Sequence, residues 1–235
     1  MDPRLIVALD YPSAPPALAL AGRLQGLCQW FKVGLELFVA EGPSVVRELR
    51  RRDVSVFLDL KLHDIPNTVA GAVRSVAAIG AEFLTVHAAG GPAMLEAAAE
   101  AAASVPNAPQ LLAVTVLTSM DQLQLATIGI GHSSEDQVLR LAETASAAGI
   151  NGFVASAEEV SALRQRYPAA TLVIPGIRPA GTDTADQKRI ATPAAALAAG
   201  ASYLVVGRPI TQAPDPAAAT RAILEEMRSA TALSA

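Results

Sequence analysis

The feature that most restricts this chain is a repeated pattern rather than a repeated motif. Short apolar or β-branched runs alternate with Ala- and Leu-rich amphipathic stretches along the whole 235 residues, as they do in βα units wound around a parallel sheet. Eight such units are present, with strands expected at Arg4 to Leu9, Trp30 to Gly34, Val54 to Leu60, Glu82 to His87, Gln110 to Leu117, Gly152 to Ala155, Thr171 to Ile174 and Tyr203 to Val206. Eight βα repeats in a chain of this length fit a (β/α)8 TIM barrel, a parallel eight-stranded barrel with its helices outside. The hydrophobic content of 51% can fill one large core. No linker or low-complexity tract divides the chain, so residues 1–235 are expected to form a single domain. The Ala-rich runs Ala97 to Ala103 and Ala194 to Ala199 read as helix packing surfaces, too short to span a membrane.

Barrels of this kind carry their active sites at the C-terminal ends of the strands. The residues expected there are Asp10, Lys32, Asp59 with Lys61, His87, Thr118 with Ser119, Ser156, Arg178, and Gly207 with Arg208. A solvated rim would also be polar, and some of these have plain structural readings. Ser156 suits a helix N-cap, Asp10 a turn ahead of Tyr11-Pro12, and His63 and His132 read as exposed loop residues. Lys32 resists such a reading, because W-F-K-V-G flanks it with apolar residues. His87 faces the expected mouth without a partner that can be named.

The densest cluster of charge lies in Val56 to Val69, V-F-L-D-L-K-L-H-D-I-P-N-T-V. Successive strand residues point to opposite faces, so Asp59 and Lys61 share one wall while Leu58, Leu60 and Leu62 take the other. Asp64 lies beyond the strand, in a turn expected at His63 to Ile65, and Pro66 suits the first turn of a following helix. A lysine between two aspartates keeps its proton and presents a preorganised donor; the same spacing also suits a solvated ion pair at a strand edge. Across the mouth, Gly207 lets a backbone N–H approach an anion, and Arg178 and Arg208 bring two guanidiniums to the sector where such barrels often bind phosphate. Between them, Pro179 to Gln187 reads as a lid over a phosphate ester, with Gln187 bonded to it, or equally as a surface loop with Asp186 capping the next helix.

Composition removes several classes of function. A net charge of -4 and a pI near 5.4 argue against a general nucleic-acid binder, so any anion site is local. Met1 to Asp10 runs into a strand-like segment without the basic stretch and cleavage region of a secretory leader. The single cysteine, Cys28, excludes an internal disulfide, and a reduced cytoplasmic setting is the default. No His/Cys/Asp cluster has metal-ligand spacing, and no Gly-rich dinucleotide fingerprint follows the first strand; neither metal nor cofactor is expected.

These motifs resemble the orotidine 5'-phosphate decarboxylase family of the bacterial type over almost the whole chain. F-L-D-L-K-L-H-D-I-P-N-T-V carries the D-x-K-x-x-D-I-x-x-T pattern, supported by A-L-D at Ala8 to Asp10, F-K-V-G around Lys32, T-V-L-T-S at Thr115 to Ser119, P-G-I-R-P at Pro175 to Pro179, D-Q-K-R at Asp186 to Arg189 and V-V-G-R-P-I-T at Val205 to Thr211. The resemblance implies loss of CO2 from orotidine 5'-phosphate in pyrimidine biosynthesis, with Lys61 as proton donor and Asp59 and Asp64 in the charged network around it. It implies a homodimer in which Asp64, Ile65 and Thr68 reach into the neighbouring site. Asp10 and Lys32 would hold ribose hydroxyls, Thr118 and Ser119 the pyrimidine, and Arg178, Gln187, Gly207 and Arg208 the phosphate. Two other readings stand beside it. Sugar-phosphate decarboxylases and aldolases of the 3-keto-gulonate 6-phosphate and hexulose phosphate type share D-x-K-x-x-D but use Mg2+, held partly by a Glu at the end of strand two, where this chain has Lys32. A non-catalytic nucleotide-binding barrel would be marked by loss of Lys61 or one of the two Asp, and all three are present.

Overall fold

The computed structural model describes residues 2–179 and 191–232. Its eight strands are β1 (Leu5–Ala8), β2 (Trp30–Gly34), β3 (Ser55–Leu62), β4 (Phe83–His87), β5 (Gln110–Val114), β6 (Gly152–Val154), β7 (Thr171–Ile174) and β8 (Tyr203–Val206). All pair in parallel in sequence order, and β8 returns to β1 to close the barrel. The chain is therefore a (β/α)8 barrel, with no sheet edge left to template pairing with another chain. Around it run α1 (Ala14–Arg23), α2 (Leu35–Glu41), α3 (Pro43–Arg50), α4 (Pro66–Ala77), α5 (Pro92–Ala103), α6 (Gln122–Thr127), α7 (Ser134–Ala147), α8 (Val160–Arg166), α9 (Pro193–Ala198), α10 (Arg208–Thr211) and α11 (Pro216–Ala232). Proline at the start of α3, α4, α5 and α9 sets φ for the first turn and gives up an N–H that has no helical partner there. Among the described residues no helix is long and apolar enough to cross a membrane.

Strand alternation sorts the core into two shells. Leu5, Val7 and Leu9, Phe31 and Val33, Val56 and Leu58, and Leu84 and Val86 point outward and pack under the helices. The opposite faces give a smaller cluster of Ile6, Ala8, Phe57, Phe83, Leu112, Val173 and Val205 inside the barrel, with Trp30, Val154 and Tyr203 against it. The inner cluster is aromatic: Trp30 stacks on Phe83 with ring centroids 4.4 Å apart, and Phe57 and Tyr203 meet Phe83 edge-on, geometries that suit the ring quadrupole. Gly152 on β6 is dictated by close approach, since a Cβ there would lie 2.8 Å from the Leu111 carbonyl oxygen. Cys28 is buried and its thiol pushed up to about 12 by desolvation, which makes it unreactive.

Two expected strands differ in a way that matters for the site. β5 stops at Val114 rather than Leu117, because β6 is only three residues long and Thr115 makes the last bonds to it, through its N–H and Oγ1 to the Val154 carbonyl. β3 runs on to Leu62 rather than ending at Leu60. Its register with β4 slips between Leu58 and Leu62, and Lys61 adopts φ +50° inside the strand. Ser156 is not the N-cap of α8, which is Glu159; Ser156 instead donates its Oγ–H to the buried Glu159 carboxylate at 2.5 Å and accepts from the Glu158 N–H.

Candidate active site

Two residues along the inner face from the aromatic cluster, the same strands change chemistry. Lys32 follows Trp30 on β2, Asp59 follows Phe57 on β3, and Thr85 follows Phe83 on β4. With Asp10, just past β1, Lys32 and Asp59 line a cavity of about 230 Å³ at the C-terminal mouth, while Thr85 is fully buried beside Asp59. Phe57, Ala8, Val114, Val154 and Val205 line its apolar parts.

One wall is a line of alternating charge. Lys32 Nζ lies 2.9 Å from Asp10 Oδ1 and 3.8 Å from Asp59 Oδ2, and Lys61 Nζ donates to both Asp59 oxygens at 2.8 and 2.9 Å. Asp59 is the centre of this line, with a side chain only 13% exposed. Burial by itself would raise its pKa, but the charges of Lys32 and Lys61, with hydrogen bonds from Lys61 and Thr85, outweigh that and hold the carboxyl below the usual carboxylate range. A carboxylate clamped between two ammonium groups stays ionised and fixes their positions. Gly34 makes room for the arrangement, since a Cβ there would come within 2.9 Å of Lys32 Nζ.

Across the cavity lie Arg178, after β7, and Gly207 with Arg208, after β8. Arg178 is buried to 7% exposure and donates from Nη1 to the Ile177 carbonyl; its own N–H is held by the Ala191 carbonyl. Gly176, at φ +76°, turns the chain in a conformation that favours glycine and brings Arg178 to the rim. Thr118 lines the cavity from the turn after β5, while Ser119 beside it is exposed.

The remaining expected residues stand elsewhere. Asp64, Ile65 and Thr68 lie outside the cavity, at the start of α4. Asp64 accepts from the Ile65 N–H at 2.6 Å, Ile65 is 68% exposed, and Asp64 and Thr68 border a surface groove that also includes Lys61. Lys61 is thus shared between the cavity and that groove. His87 does not line the cavity; its ring stacks on His63 at 5.2 Å and accepts the Ala89 N–H. Burial, reinforced by the neighbouring His63 and Lys61, lowers its pKa and favours the neutral imidazole. Gln187 and the lid segment from residue 180 onward lie outside the described residues. Among the described residues no group of three or more His, Cys, Asp or Glu side chains is placed to hold a metal ion.

Two features of the wall went unseen in the sequence. The approach of Lys32 to Asp59 joins β2 to β3, and no spacing within either strand expresses it. Thr85, fully buried on β4, bonds both Asp59 and Lys61; the one available signal was its inward phase in F-L-T-V-H, two residues after Phe83 and two before His87.

The assembled wall sets a cation, Lys61, beside an anion, Asp59, on one side of the cavity, with Arg178 and Arg208 on its lining across from them. Comparison with known proteins places the chain in a family. A family model described as orotidine 5'-phosphate decarboxylase / HUMPS family matches residues 3–223. A protein of Halorhodospira halophila named orotidine 5'-phosphate decarboxylase is 55% identical over 229 residues, with 97% of each chain covered. One of the same name from Moorella thermoacetica is 53% identical over 231 residues, covering 95% of this chain and 92% of its own. The crystal structure of orotidine 5'-phosphate decarboxylase from Lactobacillus acidophilus superposes with a TM-score of 0.81 at 39% identity, over 96% of this chain and 99% of that one. With eight strands, the motif line and near full-length relatives in accord, the chain belongs to the orotidine 5'-phosphate decarboxylase / HUMPS family.

Proposed function

We propose that this protein decarboxylates orotidine 5'-phosphate to uridine 5'-phosphate and CO2, a step of pyrimidine nucleotide biosynthesis, without metal or organic cofactor. The observation that carries the reading is the Asp10, Lys32, Asp59, Lys61 line. A metal-dependent sugar-phosphate enzyme of the wider family would need an acidic ligand where Lys32 stands; here a second ammonium occupies the place and pairs with both aspartates. The names of the relatives agree.

In this reading the phosphate is gripped by Arg178, Gly207 and Arg208, with Gln187 joining them, and Asp10 and Lys32 hold the ribose hydroxyls. Thr118 and Ser119 face the pyrimidine, which sets C6 against Lys61. Loss of CO2 leaves the C–C bonding pair on C6; Lys61 stabilises it as a fixed cation and then donates a proton from Nζ, giving uridine 5'-phosphate. Asp59 accepts both hydrogen bonds from Lys61 Nζ, keeps it aimed and stands near the departing carboxylate. The slowest reactions need roughly 20 kcal/mol of barrier lowering, whereas one charge contact contributes roughly 4 kcal/mol at an effective dielectric near 20. Lys61 therefore does not act alone, and binding at the distant phosphate helps to organise and dry the reacting centre.

The whole chain works as one barrel domain in the cytoplasm, as a homodimer in which Asp64, Ile65 and Thr68 complete the neighbouring site. The exposure of Ile65 and the groove that runs from Asp64 and Thr68 to Lys61 support this. The test is the absorbance of orotidine 5'-phosphate followed with purified protein in EDTA. Conversion to uridine 5'-phosphate is expected; a folded protein that leaves it unchanged but acts on a sugar phosphate with Mg2+ would transfer the assignment to the other branch of the family.

A further inference from the structure

β3 and β4 are in register at Leu58 with Leu84 and again at Leu62 with Val86, so four residue steps on β3 face two on β4. The surplus forms a bulge that contains Asp59 and Lys61, and Thr85 is the one β4 residue opposite it. Bulges strand ladder groups. The stranded group here is the Lys61 N–H, in a lysine at φ +50°, a region that non-glycine residues seldom occupy. Thr85 takes the place of the missing ladder carbonyl with its side chain. Its Oγ1 accepts the Lys61 N–H at 2.8 Å and donates its own hydrogen to Asp59 Oδ1 at 3.0 Å. A threonine hydroxyl has one proton, and with the Lys61 N–H directed at its oxygen that proton is left for the carboxylate. The residue is 0% exposed, so water does not compete for either bond.

We propose that Thr85 is a positioning residue: its hydroxyl locks the β3 bulge that aims the Lys61 ammonium and at the same time orients the Asp59 carboxylate that holds it. The kinetic consequence rests on the roles of Lys61 and Asp59 given above. Valine has nearly the same shape but makes neither bond, leaving the Lys61 N–H unmatched in a strained backbone. Serine retains both.

The experiment compares wild type, Thr85→Val and Thr85→Ser for kcat, KM and melting temperature with orotidine 5'-phosphate in EDTA. Thr85→Val is expected to lower kcat by about 10- to 100-fold, the rate equivalent of one charge-assisted hydrogen bond, with KM within about threefold of wild type. Thr85→Ser is expected to recover most of the rate. A kcat for Thr85→Val within about twofold of wild type, or a serine variant as slow as the valine one, overturns the proposal. If the valine variant does not fold, Thr85→Ala against Thr85→Ser gives the same ordering. A crystal structure of the ligand-free valine variant supplies a reading that does not depend on the substrate: Lys61 is expected to leave positive φ or to open its contacts with Asp59, and an unchanged bulge and ion pair overturn the proposal. If wild type does not convert orotidine 5'-phosphate, the decarboxylase reading fails and the crystal comparison alone decides the role of Thr85.

Discussion

The floor and the mouth of the barrel interior are built on the same strand faces two residues apart, yet they do opposite work. Trp30, Phe57, Phe83 and Tyr203 close the floor with stacked and edge-on rings. Lys32 and Asp59, the next inward residues, replace rings with an ion pair, and Thr85 donates a hydrogen bond to Asp59. The floor gains from removing apolar surface from water; the mouth spends that stability on charges held at fixed places beside an open cavity. The period of two along a strand sets both on one face, and Phe57 joins them, packing in the aromatic cluster while lining the cavity above it.

Paired substitutions break this division most sharply. Asp59→Asn removes the anion between two ammonium groups and is expected to lower kcat/KM by about 10³-fold or more, read from steady-state decarboxylation. Phe83→Ala, one layer down, is expected to cost about 3 to 5 kcal/mol of stability in denaturant unfolding, while the protein that remains folded turns over within about tenfold of wild type. If Phe83→Ala proves as damaging to turnover as Asp59→Asn at equal folded fraction, the layers are not separable.

The smallest effect is on pH dependence. His87, at the end of β4 and stacked on His63, favours its neutral form, so in acid the unfolded chain takes up a proton that the native protein resists. Stability is full above the ordinary imidazole value and falls as pH drops below it; further down, the loss deepens as Asp59 is protonated through its lowered pKa. At the floor the sign of the window reverses: burial raises the Tyr203 pKa, and its contribution is present at neutral pH and lost only in alkali. Melting temperatures measured from pH 7.5 to 5 should therefore fall less in His87→Gln than in wild type, and equal slopes would remove His87 from the account.

The barrel was legible because its signal is long and local: eight apolar runs with intervening amphipathic segments need no knowledge of what they touch. β2, β7 and β8 have the expected bounds. β3 and β5 do not, because where they end depends on the register with β4 and the shortness of β6, which are properties of pairs of strands. The same distinction separates the site residues. Asp59 and Lys61 declare themselves as charges in an apolar run, and Arg178, Gly207 and Arg208 by following strands seven and eight. Thr85 looks like any β-branched strand residue until a bulge appears opposite it, and Lys32 reveals its second carboxylate partner only when β2 lies beside β3. Asp64, Ile65 and Thr68, proposed above to act on another copy of the chain, stand apart from the cavity within one copy.

The central claim is that Lys61, held by Asp59, carries the chemistry. Its most direct test is the kcat/KM of Lys61→Ala for orotidine 5'-phosphate in EDTA, measured beside wild type with melting temperatures on the same preparations. The account predicts a fall of about 10⁴-fold or more with a melting temperature within a few degrees of wild type. A folded Lys61→Ala variant that turns over within about 100-fold of wild type would contradict it.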